Sequence, residues 1–331
     1  MNKIVIQTNN LSKIYKRYKK KSGIKGSIIG LIKREYEEKK AVNGFYMSIE
    51  EGEFIGLIGP NGAGKTTLIK MLTGIIAPTY GDVEVLGFYP NDMKNEFKKE
   101  YAVVMGQKSQ LFFDLTVNDT LELFKEIYEI PEKEYQLNKE YFEELFGIKK
   151  LMDVQVRALS LGERMKMELI VALIHNPKIL FLDEPTIGLD AIASKQIRRF
   201  LKEVNEKRGT TIILTSHYME DIKTLCRRSI VINHGMKIYD GSTEELFDKY
   251  QVNKKITVTF DNPLPEFQFN DMSFKYLENS PLKKVLIIPK ESVNDVLPVV
   301  MNSGPNDISI EEEEVGTVVE RIYEEGSDVI A

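Results

Sequence analysis

Three observations predict an α/β fold built on a parallel sheet covered on both faces. Strand-like and helix-like stretches alternate between residues 54 and 241, as they do where crossover helices join parallel strands. Two short apolar runs, Ile179-Leu180-Phe181-Leu182 and Thr211-Ile212-Ile213-Leu214, are bounded by turn signals and show no polar alternation, as strands buried on both sides do. A glycine-rich turn, Gly59-Pro60-Asn61-Gly62-Ala63-Gly64, stands between an apolar run and a helix-forming segment.

The elements follow in order. Residues 4–7 and 44–49 read as strands, Phe54–Ile58 as a buried strand and Lys65–Leu72 as the helix behind it. Residues 116–148 are acidic and helix-rich; Val117, Leu121, Phe124 and Tyr128 recur at helical spacing and Pro131 closes that helix. The last 75 or so residues change character. Strands are expected over 256–260, 284–288 and 308–310, and a terminal helix carries Val315, Val318, Val319 and Ile322 on one face. Pro298 argues against a helix over 292–302. The acidic run 311–314 reads as the solvated start of a helix. The polar stretch 248–255 marks a boundary, giving a domain over 1–250 and a small C-terminal α/β domain over 251–331.

Composition sets the frame. A chain of 331 residues suggests two or three domains at about 150 residues each. Hydrophobic residues at 42% and charged residues at 29% exclude a mainly disordered chain. One cysteine, Cys226, cannot form an internal disulfide, which suits a reducing compartment. It lies in an apolar-periodic stretch and is expected to pack as a small hydrophobe. No apolar run reaches the roughly 20 residues of a spanning helix, and the start shows no signal-peptide core. A soluble, cytosolic chain is the expectation. His175 and His234 have no partners at metal-ligand spacing and read as a helix-terminal and a turn residue.

The net charge is −5, unevenly spread: residues 13–40 hold eleven basic against three acidic residues, so that segment is +8 and the remainder −13. Within it Ile24, Ile28, Leu31, Ile32 and Tyr36 fall at helical spacing, predicting a short amphipathic helix inserted in a hairpin connection over about 19–40. The segment is either a solvated decoration or a face toward an anionic membrane leaflet or a membrane partner. A patch this local, with no recognised nucleic-acid module, argues against nucleic acid as a partner.

The chemistry-bearing motif is Gly59-Pro60-Asn61-Gly62-Ala63-Gly64-Lys65-Thr66, which matches G-x-x-x-x-G-K-[ST] between a strand and a helix. Glycines let backbone N–H groups turn inward around phosphate oxygens. The helix N-terminus adds partial positive charge. Lys65 supplies a point charge for the β- and γ-phosphates, and the Thr66 hydroxyl is a hard ligand for Mg²⁺. Thr67 completes the phosphate-side set. Downstream, Asp183 and Glu184 end an apolar strand at the sheet edge where such folds bind ligands. Asp183 is expected to hold Mg²⁺, partly through water. Glu184 is placed to orient or deprotonate the water that attacks the γ-phosphate.

Six motifs in order carry a family resemblance over roughly residues 1–245. Leu159-Ser160-Leu161-Gly162-Glu163 resembles the signature motif of ATP-binding cassette (ABC) ATPases. Gln107 resembles the family's Q-loop glutamine, Gly188-Leu189-Asp190 its D-loop and Thr215-Ser216-His217 its switch-histidine segment, beside the phosphate loop and Asp183-Glu184. The resemblance implies a P-loop NTPase fold: a RecA-like core with an antiparallel β subdomain and an α-helical subdomain near 108–160. It implies ATP with Mg²⁺ and a second copy, or a homologous subunit, arranged head to tail. Ser160 and the Gly162 N–H then meet the γ-phosphate held by the other copy's Lys65. His217 bridges that phosphate to the partner's D-loop near Asp190, and Gln107 senses Mg²⁺ and the attacking water. Tyr15 falls where the family stacks an aromatic on adenine, with Tyr18 as its rival and core packing as the plain alternative.

Two residues depart from the pattern. Leu161 and Glu163 replace a glycine and a glutamine; Glu163 adds a negative charge that Arg164 is expected to offset. The single cassette, the mixed α/β tail, residues 88–90, the segments 106–111 and 185–190 and the basic insertion resemble the ATPase subunit of ABC-2-type exporters, closest to the viologen and daunorubicin group. Such a subunit works at the cytoplasmic membrane face with multi-spanning permease subunits. The apolar cluster Leu111, Phe112, Phe113 and Leu115 then offers a permease groove, against core packing as the alternative. The rival function is a soluble regulatory ABC ATPase without a permease.

Overall fold

A computed structural model of the chain describes residues 3–18, 36–106, 109–216, 218–250, 252–263, 274–312 and 321. The chain divides into two compact units, Met1–Thr243 and Glu244–Ala331. The first contains β1 (Ile4–Tyr18), β2 (Tyr36–Glu50), β3 (Phe54–Ile58), α1 (Lys65–Leu72), β4 (Tyr80–Val85), α2 (Asn95–Lys99), β5 (Tyr101–Met105), α3 (Val117–Tyr128) and α4 (Glu132–Phe146). It continues through α5 (Leu161–Leu173), β6 (Ile179–Asp183), α6 (Ala191–Arg208), β7 (Thr211–Thr215), α7 (Met219–Leu225), β8 (Arg228–Asn233) and β9 (Met236–Ser242).

The central sheet has the order β5-β6-β7-β3-β8-β9, parallel except for β9. Every residue of β3 and β7 is buried, and in β6 only Asp183 is not. Such unbroken apolar runs are what a sheet covered on both faces requires. Because β3, β6 and β7 run the same way, their C-terminal ends share one edge, and Asp183 stands opposite Thr215 in the register. The core under that edge joins Phe181, Ile213, Ile55 and Leu57 to Leu68, Ile69 and Leu72 of α1. Tyr101 packs edge-on to Phe181, ring centroids 6.2 Å apart, and on Phe97 at 4.7 Å.

A second sheet, β2-β1-β4, is antiparallel. Its hairpin is longer than the strands expected at 4–7 and 44–49. Opposite charges face each other where Lys16 stands opposite Glu38, and such a cross-strand pair contributes roughly 0.2–1 kcal/mol. Residues 36–40 of the expected insertion are therefore strand, Tyr36 included. Residues 19–35, with the rest of the predicted amphipathic helix, lie outside the described residues.

α3 starts on a reciprocal cap between Thr116 and Asp119 and ends at Glu129 in the left-handed region. Pro131 does not close it; Pro131 is the N-terminal cap residue of α4, where its missing N–H costs nothing. Cys226 is buried, and His234 sits at positive φ in the turn between β8 and β9, as expected of both.

The second unit holds α8 (Thr243–Tyr250), β10 (Asn253–Thr259), β11 (Lys275–Asn279), β12 (Lys283–Pro289), α9 (Val293–Asn302) and β13 (Asp307–Glu312). The strands form an antiparallel sheet, β11-β12-β10-β13. Three corrections arise here. Strand β11, whose residues are half-exposed or exposed, carried no apolar signal in the sequence. α9 runs through Pro298. Its Val296 and Val300 are fully buried in this unit's core, and burying two such side chains at about 1.5–3 kcal/mol each offsets the about 3 kcal/mol that an interior proline costs. Glu311 and Glu312 end strand β13 instead of starting a helix, paired to Lys255 and Lys254. The predicted terminal helix lies outside the described residues, Arg321 excepted.

Phe181→Ala removes a ring with no exposed surface from the middle of the parallel sheet. Unfolding free energy is expected to fall by about 3–5 kcal/mol, read as a lowered midpoint in chemical denaturation.

Candidate active site

The phosphate loop follows β3 and delivers the chain into α1. Gly64 adopts φ +115°, and a Cβ there would lie 2.3 Å from the Ala41 carbonyl oxygen; only glycine fits both the torsion and the space. Leu68 N–H bonds Gly64 O at 2.8 Å, so α1 begins directly behind the loop. Lys65 is 6% exposed. Its ammonium donates to the carbonyls of Gly59 at 2.6 Å and Pro60 at 3.2 Å, which fixes the charge at the loop's mouth. Burial lowers the Lys65 pKa, and the carboxylates of Glu184 and Asp183 act in the opposite direction.

Asp183 ties three elements together. Thr66 Oγ1 donates to its Oδ2 at 3.0 Å, and Thr215 Oγ1 donates to its Oδ1 at 2.6 Å. The next residue, Glu184, has φ +57°, a left-handed conformation costly for a residue with a Cβ. Its N–H bonds Thr215 O at 3.0 Å, which anchors that conformation. Gly106 packs onto this turn: a Cβ at Gly106 would stand 2.3 Å from the Glu184 carbonyl oxygen, and Gly106 N–H bonds Asp183 O at 2.8 Å.

One cleft is lined by Tyr15, Lys39, Ala41, Pro60, Asn61, Gly62, Gly64, Lys65, Thr66, Thr67 and Glu184. Most of the expected nucleotide residues thus converge. Tyr15 is 40% exposed there, with the Lys13 ammonium 5.5 Å from its ring centroid. Two loop members face elsewhere. Ala63 is buried and its carbonyl accepts Gly235 N–H at 2.8 Å. Gly59 presents its Cα to the Ile232 carbonyl, which a Cβ would meet at 2.4 Å. Gln107 and His217 lie outside the described residues.

Ser160, Gly162 and Asp190 do not line that cleft. Ser160 is the N-terminal cap of α5, in a reciprocal box with Glu163. The Glu163 carboxylate accepts Ser160 N–H at 2.9 Å and Ser160 Oγ–H at 2.8 Å, and these bonds hold its pKa below the usual value. Arg164 does not offset this charge. One residue on is about 100° around the helix, and the Arg164 guanidinium lies over the Phe113 ring at 5.0 Å. Asp190 caps α6, accepting Ala193 N–H at 2.7 Å. The α5 and α6 starts adjoin: a Cβ at Gly162 would meet Ala193 Cβ at 3.0 Å.

Two other groups, Thr215 in its bond to Asp183 and Glu168, escaped the sequence reading. Thr215 reads in the sequence only as the first residue of the switch-histidine segment. Glu168, on α5, accepts Ser109 Oγ–H at 2.5 Å and Gln110 N–H at 3.1 Å, and burial pushes its carboxyl pKa up; a charged residue beside the apolar run 169–173 was its only signal. His175 stacks on Tyr128 at 3.8 Å, and burial lowers its pKa to about 4.

Residues 42–187 match the family model described as ABC transporter. The ABC transporter ATP-binding protein NatA of Bacillus subtilis (strain 168) is 34% identical over 219 residues, which cover 65% of this chain and 89% of NatA. The chain belongs to the ABC transporter family. This ABC protein is an ATP-binding ATPase subunit. The Nod factor export ATP-binding protein I of Rhizobium sp. (strain N33) is 34% identical over 232 residues, 70% of this chain and 76% of that protein. Among solved structures, the post-hydrolysis dimer of the ATP-binding cassette MJ0796 with ADP and Pi superposes with a TM-score of 0.58 at 24% identity, covering 72% of this chain and 98% of that one. That likeness confirms the P-loop NTPase fold.

Gly64→Ala places a methyl group against the Ala41 carbonyl in a torsion that alanine resists. Nucleotide binding by the ABC subunit is expected to be lost, read as absent saturation in a fluorescent-ATP titration, while far-ultraviolet circular dichroism stays that of the parent.

Proposed function

We propose that this chain is the ATP-hydrolysing subunit of an ABC-2-type exporter, and that two copies close head to tail on two ATP molecules. One observation carries the reading: Lys65, Thr66 and Glu184 converge on one cleft beside Asp183, whereas Ser160 and Gly162 of the same copy stand outside its lining. A second copy that brings its own Ser160 and Gly162 would complete the cleft. The dimer reported for the MJ0796 cassette supports such an arrangement.

Within the cleft the backbone N–H groups of residues 60–66 and the Lys65 ammonium would hold the phosphates, and Tyr15 would stack on adenine. The hydroxyl of Thr66 and the carboxylate of Asp183, 3.0 Å apart, form the hard-oxygen donor set that suits Mg²⁺. The ion would neutralise phosphate charge there. Glu184 would take the proton of the attacking water as the new O–P bond forms and ADP leaves. Gln107 and His217 keep the roles their family resemblance implies. Loss of the γ-phosphate removes the charge that both copies share, so the pair opens.

Export is supported by relatives whose names state it. No helix among the described residues is long and apolar enough to cross a membrane, so separate multi-spanning permeases would supply the path and hold this subunit at the cytoplasmic membrane face. The apolar cluster after Gln107 divides in two: Leu111 is buried, while Phe112 and Phe113 are 48% and 46% exposed. The exposed pair supports docking of a short permease helix.

Glu184→Gln keeps shape and removes the base. ATP binding is expected to persist, hydrolysis to cease and a dimer to appear with ATP and Mg²⁺ in size-exclusion light scattering; unimpaired turnover would exclude Glu184 as base. Phe112→Asp places a charge on the exposed pair. The variant is expected to fold with the parent's thermal midpoint yet support no transport in permease-containing vesicles; parental transport would remove Phe112 from the docking surface.

A further inference from the structure

One buried carboxylate outside the nucleotide set joins the loops that leave β6 and β7. Asp221, in the first turn of α7, is 1% exposed. Its Oδ2 accepts two hydroxyls, Thr186 Oγ1–H at 2.5 Å and Ser216 Oγ–H at 2.9 Å. Its Oδ1 accepts the Arg198 guanidinium of α6 at 2.8 Å. Thr186 and Ser216 are themselves buried, at 2% and 3% exposure.

Each hydroxyl belongs to a loop with a chemical task. Thr186 follows Glu184 by two positions, and its carbonyl accepts Leu189 N–H at 3.1 Å, closing the turn toward Asp190. Ser216 precedes position 217, and its Oγ accepts Tyr218 N–H at 2.9 Å. The two loops are linked again where Glu184 N–H bonds Thr215 O at 3.0 Å.

We infer that Asp221 is a positioning residue for ATP hydrolysis: through Thr186 and Ser216 it holds the Glu184 loop in register with the loop around position 217. The inference rests on the reading of Glu184 as the base. An ionised carboxylate suits the task because it only accepts. A single oxygen can take both hydroxyls while the other meets a cation, so the buried charge is matched on every side. The Arg198 guanidinium reaches Glu220 as well, at 3.1 Å, which ties α6 to the same point. None of these four side chains lines the nucleotide cleft. Their loss therefore alters the placement of the base and leaves ATP contacts in place. Misplacement by about 1 Å can cost on the order of 100-fold in rate.

The test measures steady-state ATPase activity of the full chain, with rates expressed per nucleotide-binding site so that unfolded protein does not count. Thr186→Val keeps the branched shape and removes one donor; Ser216→Ala removes the other. Each is expected to lower kcat about 10-fold or more with KM for ATP within about two-fold of the parent. Thr186→Ser, which restores the hydroxyl, is expected to recover most of the rate. Parental kcat in both variants, a change confined to KM, or no recovery with serine would overturn the role of Asp221. Glu184→Gln is assayed alongside: if it turns over at the parent's rate, the reading of Glu184 is lost, and the inference with it.

Discussion

The Asp183 carboxylate is the constraint on which the rest of the site depends. It sits at the end of β6 and accepts hydroxyl hydrogen bonds from two flanking elements, Thr66 at the start of α1 and Thr215 at the end of β7. Those bonds exist only because β3, β6 and β7 run parallel and finish at one edge. Strand polarity therefore becomes a local arrangement of charge, with a buried ammonium and two adjacent carboxylates at the mouth of one cleft. Burial makes each of these interactions stronger than it would be in water.

Much of this was legible in the chain itself, because each part leaves a local trace. Unbroken apolar runs mark β3, β6 and β7, and the glycine spacing before Lys65 marks the loop between strand and helix. The residues that escaped are those whose meaning comes from a distant partner. Thr215 is an ordinary strand threonine until Asp183 stands opposite it. Glu168 is a polar interruption in α5 until the backbone of Gln110 is seen to need an acceptor. Pro298 argued correctly against helix by local rules and was outweighed by tertiary burial of Val296 and Val300. Glu163 was read as a charge for Arg164 to offset, when its donors are the hydroxyl and N–H of Ser160.

The hairpin of β1 and β2 shows another limit of local reading. A basic stretch looks like a surface helix or a tail when its partner strand is not in view. Paired in the sheet, it is a strand, with Lys16 opposite Glu38. The Lys16–Glu38 contact at 3.9 Å is solvent-exposed and adds little energy on its own. Its value is in register and in protection: charged side chains along a strand discourage edge-to-edge pairing with other molecules.

The backbone at Glu184 has a consequence of its own. A left-handed glutamate stores backbone strain on the order of 1–3 kcal/mol that a glycine would release. With Glu184 as the proposed base, thermostability and turnover are opposed at this one position. A screen that selects only for heat resistance would be drawn to replace the residue, and its best survivors would be well-folded proteins that bind fuel without burning it.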